Sequence, residues 1–325
     1  MPQPSISYAC GRIGVLSRNA LHAAQLERLM AAHTFEEAHR TLSDIGFLSA
    51  DTADFQEAAD AHVKQACELV AAVTPEPQVT DCFQLRYDIH NLKVLMKSRF
   101  LAQEPQYLSS CGTIQIEKLQ HAVAEHRYNA LPPILKAALD KLEKQLAKEF
   151  HPMRIDAELD KALYLLIFDM LKKTKQREVQ NYFVAKVDLQ NYIMLLRVKA
   201  MGKGKELFRE LYLPCASVTE ETFEKFFDEP DRLSRLMKPY GETVYRTALT
   251  CAMDTGKLPL MEKTADDYLY GLFGKNKYKG ASIEVLIAYL LRSQREATDI
   301  RLLMAGKLNG FRTEELMERL RELHG

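Results

Sequence analysis

Three acidic residues, each followed three positions later by an amide or a second acid, are the side chains best placed in this sequence to do chemistry. They are Asp88 with Asn91, Asp188 with Asn191, and Glu296 with Asp299. On a helix such a pair shares one face, where it could hold a cation, move a proton or accept backbone hydrogen bonds. No set of histidines accompanies the pairs, since His90 beside Asn91 is unique to the first. The third pair also has Glu and Asp where the others have Asp and Asn, which weakens a titratable or metal-binding reading. Leu95, Leu195 and Leu303 fall on the same face and should enter the core. An unsatisfied polar group beside them would cost about 1–3 kcal/mol. The expectation is a buried hydrogen-bond network that fixes helix packing.

The pairs belong to a longer phrase written three times. With the acid as position zero, Leu stands at plus seven, Leu or Met at plus eight, and a cation (Arg99, Lys199, Lys307) at plus eleven. Phe83 and Phe183 both lie five residues before the acid. A recurrence near one third of the chain length indicates three copies of one supersecondary unit. More cations gather at the same helix ends: Lys97 in the first copy, and Arg197, Lys203 and Lys205 in the second. One reading is favourable interaction with the helix C-terminus, worth about 0.3–1 kcal/mol each. The other is a basic face for an acidic partner or anionic lipid headgroups.

Other chemistry is hard to find. Met201-Gly-Lys-Gly-Lys205 and Gly271-Leu-Phe-Gly274-Lys275 lack the spacing of a phosphate loop and no strand precedes them, so both read as turns. Asp266-Asp267 lacks the third acid of a magnesium-binding box, and His121 and His126 fall on different helical faces. No catalytic, cofactor-binding or metal-binding constellation emerges.

The elements that must position the phrases are helices. Apolar residues recur at three- and four-residue spacings, as in Leu26, Leu29, Met30 and Phe35, Ala38, Leu42, while strict alternation is scarce. Thr34 with Glu37, Thr219 with Glu220 and Glu221, and Thr313 with Glu314 and Glu315 read as helix starts. Breaks at Thr74 to Pro77, Glu104-Pro105, Pro132-Pro133, Gly202 to Gly204, Glu229-Pro230 and Gly271 to Gly280 leave helices of about ten to twenty residues. Cutting after each signature helix gives three helical repeats, 1–112, 113–214 and 215–325.

Composition excludes several classes. The 325 residues are 47% hydrophobic and 27% charged, enough for a sizeable core and unlike a disordered chain. Acids and bases balance at 44 each, which removes the electrostatic reason to expect a nucleic-acid partner. The apolar stretches Ala162 to Phe168 and Val285 to Leu291 are far shorter than the roughly 20 residues that span a bilayer. Nothing near Met1 reads as a signal peptide. The six cysteines form no C-x-x-C pair and read as reduced, mostly buried residues.

Taken together, Tyr87-Asp-Ile-His-Asn-Leu-Lys93, the run from Tyr182-Phe183 through Asp188 and Asn191 to Arg197, and Glu296-Ala-Thr-Asp299-Ile-Arg301 resemble the C subunit of the V/A-type rotary ATPases. That protein is the counterpart of the d subunit in eukaryotic vacuolar ATPases. The opening Tyr8 through Gly11-Arg12-Ile13, with Leu26-Glu-Arg28-Leu29 and Thr34-Phe-Glu-Glu37-Ala38, is similar to the family's start, so the resemblance covers essentially the whole chain. It implies an all-α, funnel-shaped protein of three similar domains in pseudo-threefold arrangement. Such a protein has no active site and seats the shaft, made of the D and F subunits, on the membrane ring of proteolipids. It lies peripherally on the cytoplasmic face and passes torque between ATP hydrolysis or synthesis and proton or sodium translocation. The basic helix ends then become candidate contacts with the ring or with headgroups, and the isolated chain should be monomeric. The competing reading is an all-helical, triple-repeat protein-binding adaptor unrelated to rotary motors.

Overall fold

Leu26 with Leu29 and Ala38 with Leu42 are buried along single helical stripes, as their spacing requires. In the computed structural model, which describes residues 4–17, 21–48, 54–274, 280–317 and 320–321, this pattern continues throughout, and no strand occurs among the described residues. The chain is all-α. Its helices are α1 (Ile6–Leu16), α2 (Ala23–Ala31), α3 (Phe35–Asp44), α4 (Phe55–Val73), α5 (Pro77–Thr80), α6 (Leu85–Leu101), α7 (Ile116–Ala124), α8 (Pro133–Leu146) and α9 (Pro152–Leu171). There follow α10 (Arg177–Ala200), α11 (Lys205–Leu211), α12 (Glu220–Lys225), α13 (Pro230–Arg235), α14 (Glu242–Met253), α15 (Leu258–Gly274), α16 (Ile283–Leu308) and α17 (Thr313–Met317). No described helix is long and apolar enough to cross a membrane.

Local chemistry sets several starts. The Thr34 hydroxyl accepts the Glu37 N–H at 3.2 Å and the Thr219 hydroxyl accepts the Thr222 N–H at 3.3 Å, each satisfying an orphan donor of a first turn. At α3 the box is modified, because the Glu37 carboxylate takes the N–H of His33 at 2.8 Å. Two signature helices exceed the expected length, α10 with 24 residues and α16 with 26. Neither contains proline, and both bury side chains around much of their circumference, so no polar face announces an end. The expected break between Gly271 and Gly280 is present, since α15 ends at Gly274 and α16 starts at Ile283, but Gly271 to Gly274 is helix rather than the expected turn, and Lys275 lies outside the described residues.

Contacts divide the chain into two compact units, Asp81–Met261 and the combination of Met1–Thr80 with Glu262–Gly325. In the first, α6 packs on α7 and α9, α8 packs on α9, and α10 meets α11 and the 3₁₀ turn Thr255–Lys257. Phe83 and Phe183, equivalent in the two phrases, are ring neighbours at 4.9 Å. In the second, α16 lies along α4, with α1, α3 and α17 also against it. Its core joins Leu26, Leu29 and Leu42 from the early helices to Ile300, Leu303 and Met304 of α16 and to Leu316 and Leu320. Gly306 permits the close approach of α17, since a Cβ there would lie 2.3 Å from Leu316 Cδ2.

Candidate functional site

All six polar signature residues are buried, Asp88, Asn91, Asp188, Asn191 and Asp299 completely and Glu296 to 1% exposure. Their partners are mainly backbone groups. On α6, Asp88 Oδ2 accepts the Thr113 N–H at 2.9 Å and its hydroxyl at 2.8 Å, while Oδ1 accepts the Ile114 N–H at 3.0 Å. Burial pushes the Asp88 carboxyl above its usual range, and the Thr113 and Ile114 donors pull it part of the way back. The loop passes so close that only glycine fits at position 112, where a Cβ would stand 2.2 Å from Asp88 Oδ1.

On α10, Asp188 Oδ1 accepts the N–H groups of Ser217 and Val218 at 2.9 and 3.1 Å, and Oδ2 accepts the hydroxyls of Ser217 and Tyr240. On α16, Glu296 Oε1 accepts the Leu21 N–H at 3.1 Å and Arg292 Nε–H at 2.9 Å, and His62 Nε2 lies 2.9 Å from Oε2. Arg292 also donates to the Leu21 carbonyl at 2.9 Å. These groups border a cavity of about 330 Å³ that Phe47 and Tyr289 help to line. In every copy the acid therefore holds the backbone just before a helix: α7 after Thr113-Ile114, α12 after Ser217-Val218, and α2 after Leu21.

The residue at plus three holds a second point. Asn91 donates to the Ser109 carbonyl at 2.8 Å and accepts the Ser109 N–H at 2.7 Å. Asn191 treats Leu213 in the same way, at 3.0 and 2.8 Å. Asp299 Oδ1 accepts the Arg321 N–H at 3.3 Å, and its Oδ2 has no hydrogen-bond partner among the described residues. An amide can donate and accept at once, whereas a carboxylate only accepts.

The cation at plus eleven supplies a third point. Arg99 donates to the Val123 carbonyl at 2.9 Å, Lys199 to Phe227 at 2.7 Å, and Lys307 to Met30 and Ala32 at 2.8 and 2.5 Å. These carbonyls lie at the C-terminal ends of α7, α12 and α2, the same helices whose approaches the acids hold. The cations thus cap a neighbouring helix rather than their own. Arg99 also pairs with Glu143 at 2.8 Å. Burial works to raise the Glu143 carboxyl, but the Tyr128 hydroxyl and Arg99 outweigh it and hold the group below its usual range. Lys97 pairs with Asp156 at 2.6 Å. Of the remaining basic candidates, Arg197 and Lys203 are exposed and Lys205 is half-buried.

Each signature helix is therefore a three-point clamp: acid on a helix approach, cation on that helix's end, and a middle residue that holds the loop before the helix in the first two copies and the C-terminal segment at Arg321 in the third. Ser109, Thr113, Ser217, Tyr240, Leu21 and Arg321 carry no mark in the sequence pattern that points to this role. A polar residue four positions after the second clamp point, Thr113 after Ser109 and Ser217 after Leu213, is the signal that could have found two of them. Among the described residues no group of three His, Cys, Asp or Glu side chains could hold a metal ion.

The family model described as ATP synthase (C/AC39) subunit matches residues 9–319, a span that contains all three polar signature pairs. Among curated proteins, the C subunit of the V-type sodium ATPase of Enterococcus hirae is 23% identical over 77% of this chain and 76% of its own length. The C subunit of the A-type ATP synthase of Pyrococcus abyssi is 20% identical over 98% of this chain and 90% of its own. That of Methanosarcina barkeri is 24% identical over 72% and 67% respectively.

Proposed function

Because the chain belongs to the ATP synthase (C/AC39) subunit family, we propose that it is the non-catalytic central-stalk rotor component of a V/A-type rotary ATPase. In this role it seats a shaft of the D and F subunits on the membrane proteolipid ring and passes torque between ATP hydrolysis or synthesis and proton or sodium movement. It is held peripherally on the cytoplasmic face. The observation that carries the reading is the length of the family match, which includes every signature helix. The clamps are consistent with a mechanical part: their buried charges are used on backbone groups, which suits transmission of force better than turnover of a substrate.

The repeats 1–112, 113–214 and 215–325 are proposed to form a pseudo-threefold funnel. In support, each repeat carries towards its end a signature helix whose acid holds the backbone of the next repeat in chain order, and the third, through Glu296 and Leu21, holds the first. Such closure needs no second copy of the chain, in keeping with a monomer outside the complex.

Arg197 and Lys203, which are exposed, and Lys205 beside them are the basic candidates for contact with the ring's polar loops or lipid headgroups. Lys97, Arg99, Lys199 and Lys307 are engaged inside the protein. A tagged pull-down from mildly solubilised membranes tests the role. Recovery of the D and F subunits with the proteolipid after a salt wash is expected, and their absence beside an intact motor in the same extract overturns it. Lys203→Glu with Lys205→Glu should weaken retention on the membrane sector and flatten its salt response, while leaving the melting temperature unchanged. Unchanged retention would remove these lysines from the contact surface.

A further inference from the structure

The three plus-three residues do the same job with different chemistry. Asn191 forms a closed pair of bonds with Leu213, donating to its carbonyl and accepting its N–H. Asp299 occupies the equivalent position on α16 and meets Arg321, which like Leu213 lies 22 residues further along the chain. Among the described residues it makes there only the accepting bond, 3.3 Å against 2.8 Å for Asn191, and its buried Oδ2 has no hydrogen-bond partner. An ionised carboxylate cannot donate, so the second bond is closed to it; a protonated one carries an O–H where Asn carries an N–H.

We propose that Asp299 is a proton-operated latch for the C-terminal segment: protonated, it clamps Arg321 through both backbone groups as Asn191 clamps Leu213, and ionised, it keeps one bond and loosens the segment from α16. What the latch holds is substantial. Leu316 and Leu320 are buried in the core shared with Ile300, Leu303 and Met304, and α17 sits against Gly306.

The charged groups facing Asp299 come from three elements. On α16 itself Arg295 is buried, pairs with Asp267 and stacks over Tyr270 at 4.5 Å. From α15 comes Asp266, and from the C-terminal segment comes Arg321, whose guanidinium binds Asp266 at 2.9 and 3.1 Å. The two arginines and the Arg321 N–H favour the ionised form and Asp266 opposes it. Burial is the largest influence and lifts the Asp299 carboxyl from 3.8 to about 6. A carboxyl whose folded value lies above its unfolded value binds its proton more tightly when the segment is docked. Docking therefore strengthens as pH falls through about 6 and stops gaining below 3.8.

Amide hydrogen exchange on the full chain tests the latch, read on the C-terminal peptide that carries Arg321 and corrected for intrinsic rates. In the unmodified protein, protection should rise by about tenfold from pH 8 to pH 5, the change set by carboxyl values of about 6 docked and 3.8 free. Asp299→Asn supplies the donor permanently. Its protection at pH 8 should match or exceed that of the unmodified protein at pH 5, with no comparable rise on acidification. Asn191→Asp transplants the device and should give the peptide around Leu213 a protection that grows as pH falls. Equal protection of the unmodified protein at both pH values, or an Asp299→Asn variant that keeps the full pH response, overturns the proposal.

Discussion

The clamp of α10 and the clamp of α16 do similar work with materials of different origin. Asp188 finds its donors in one loop about thirty residues downstream and in Tyr240, so a short side chain meets two backbone N–H groups and two hydroxyls. Glu296 holds Leu21, 275 residues away, and meets a single backbone N–H there. Its remaining capacity is filled by Arg292 and His62, which are partly exposed beside the cavity. Local chain order allows a carboxylate satisfied mainly by backbone and hydroxyl donors. Closure between distant segments uses a longer acid and two side chains, an arginine and a histidine. Bringing distant segments together also carries a greater loop-closure entropy cost, which grows slowly with loop length.

The largest expected effect is the one that separates these two clamps. Asp188→Ala takes the buried acceptor away from the Ser217 and Val218 amides and the Tyr240 hydroxyl, whose bonds to it are part-buried. At about 1–3 kcal/mol for each unsatisfied buried group, the loss should exceed about 3 kcal/mol. Glu296→Ala orphans one backbone amide, while Arg292 and His62 can turn to water in the cavity, so about 2 kcal/mol is expected. Denaturant unfolding of both variants measures the difference. A Glu296→Ala loss equal to or above that of Asp188→Ala would show that the long-range clamp is the stronger of the two.

Asn191→Leu sharpens the comparison at the second clamp point. It removes both bonds to Leu213 and leaves that residue's N–H and carbonyl unpaired, a loss of about 2–3 kcal/mol. The melting temperature should fall while a folded fraction keeps its partners in the pull-down. Partner loss from a variant of unchanged stability would instead make Asn191 a recognition residue. The plus-three position thus divides the copies again: removing the amide harms the second, whereas installing one at Asp299 should strengthen the third at pH 8.

Sequence spacing makes much of this legible. The helical class, the threefold phrase and the burial of its polar stripe follow from residues three, four and seven apart, which lie on one face whatever surrounds them. The partners are less accessible. Thr113, Ser217 and Leu21 contribute backbone groups, which every residue type carries, so nothing in their identity advertises the contact. Tyr240 and Arg321 lie in segments that share no phrase with each other. Spacing alone assigns the cations to their own helix ends or to an outside partner. Arg99, Lys199 and Lys307 serve instead the ends of α7, α12 and α2, short helices with no common sequence, so only the fold identifies their recipients.

The smallest expected effect concerns those cations and asks whether the third clamp point is the part that all copies share. Lys307 meets two carbonyls at the end of α2, and Lys199 meets one beyond the end of α12 while its ammonium lies 5.2 Å from the Phe227 ring. Methionine keeps the length and apolar stem of lysine but cannot donate, so Lys307→Met and Lys199→Met should each cost about 1 kcal/mol. Lys203→Met, on an exposed side chain, should cost nothing measurable. Similar losses at 199 and 307, beside unequal losses at 188 and 296, would mean that the cation is the constant of the clamp and the acid its adapted part. A neutral Lys307→Met would mean that the α2 end is satisfied without it, leaving the polar join between the chain's distant segments to Glu296 and Arg292.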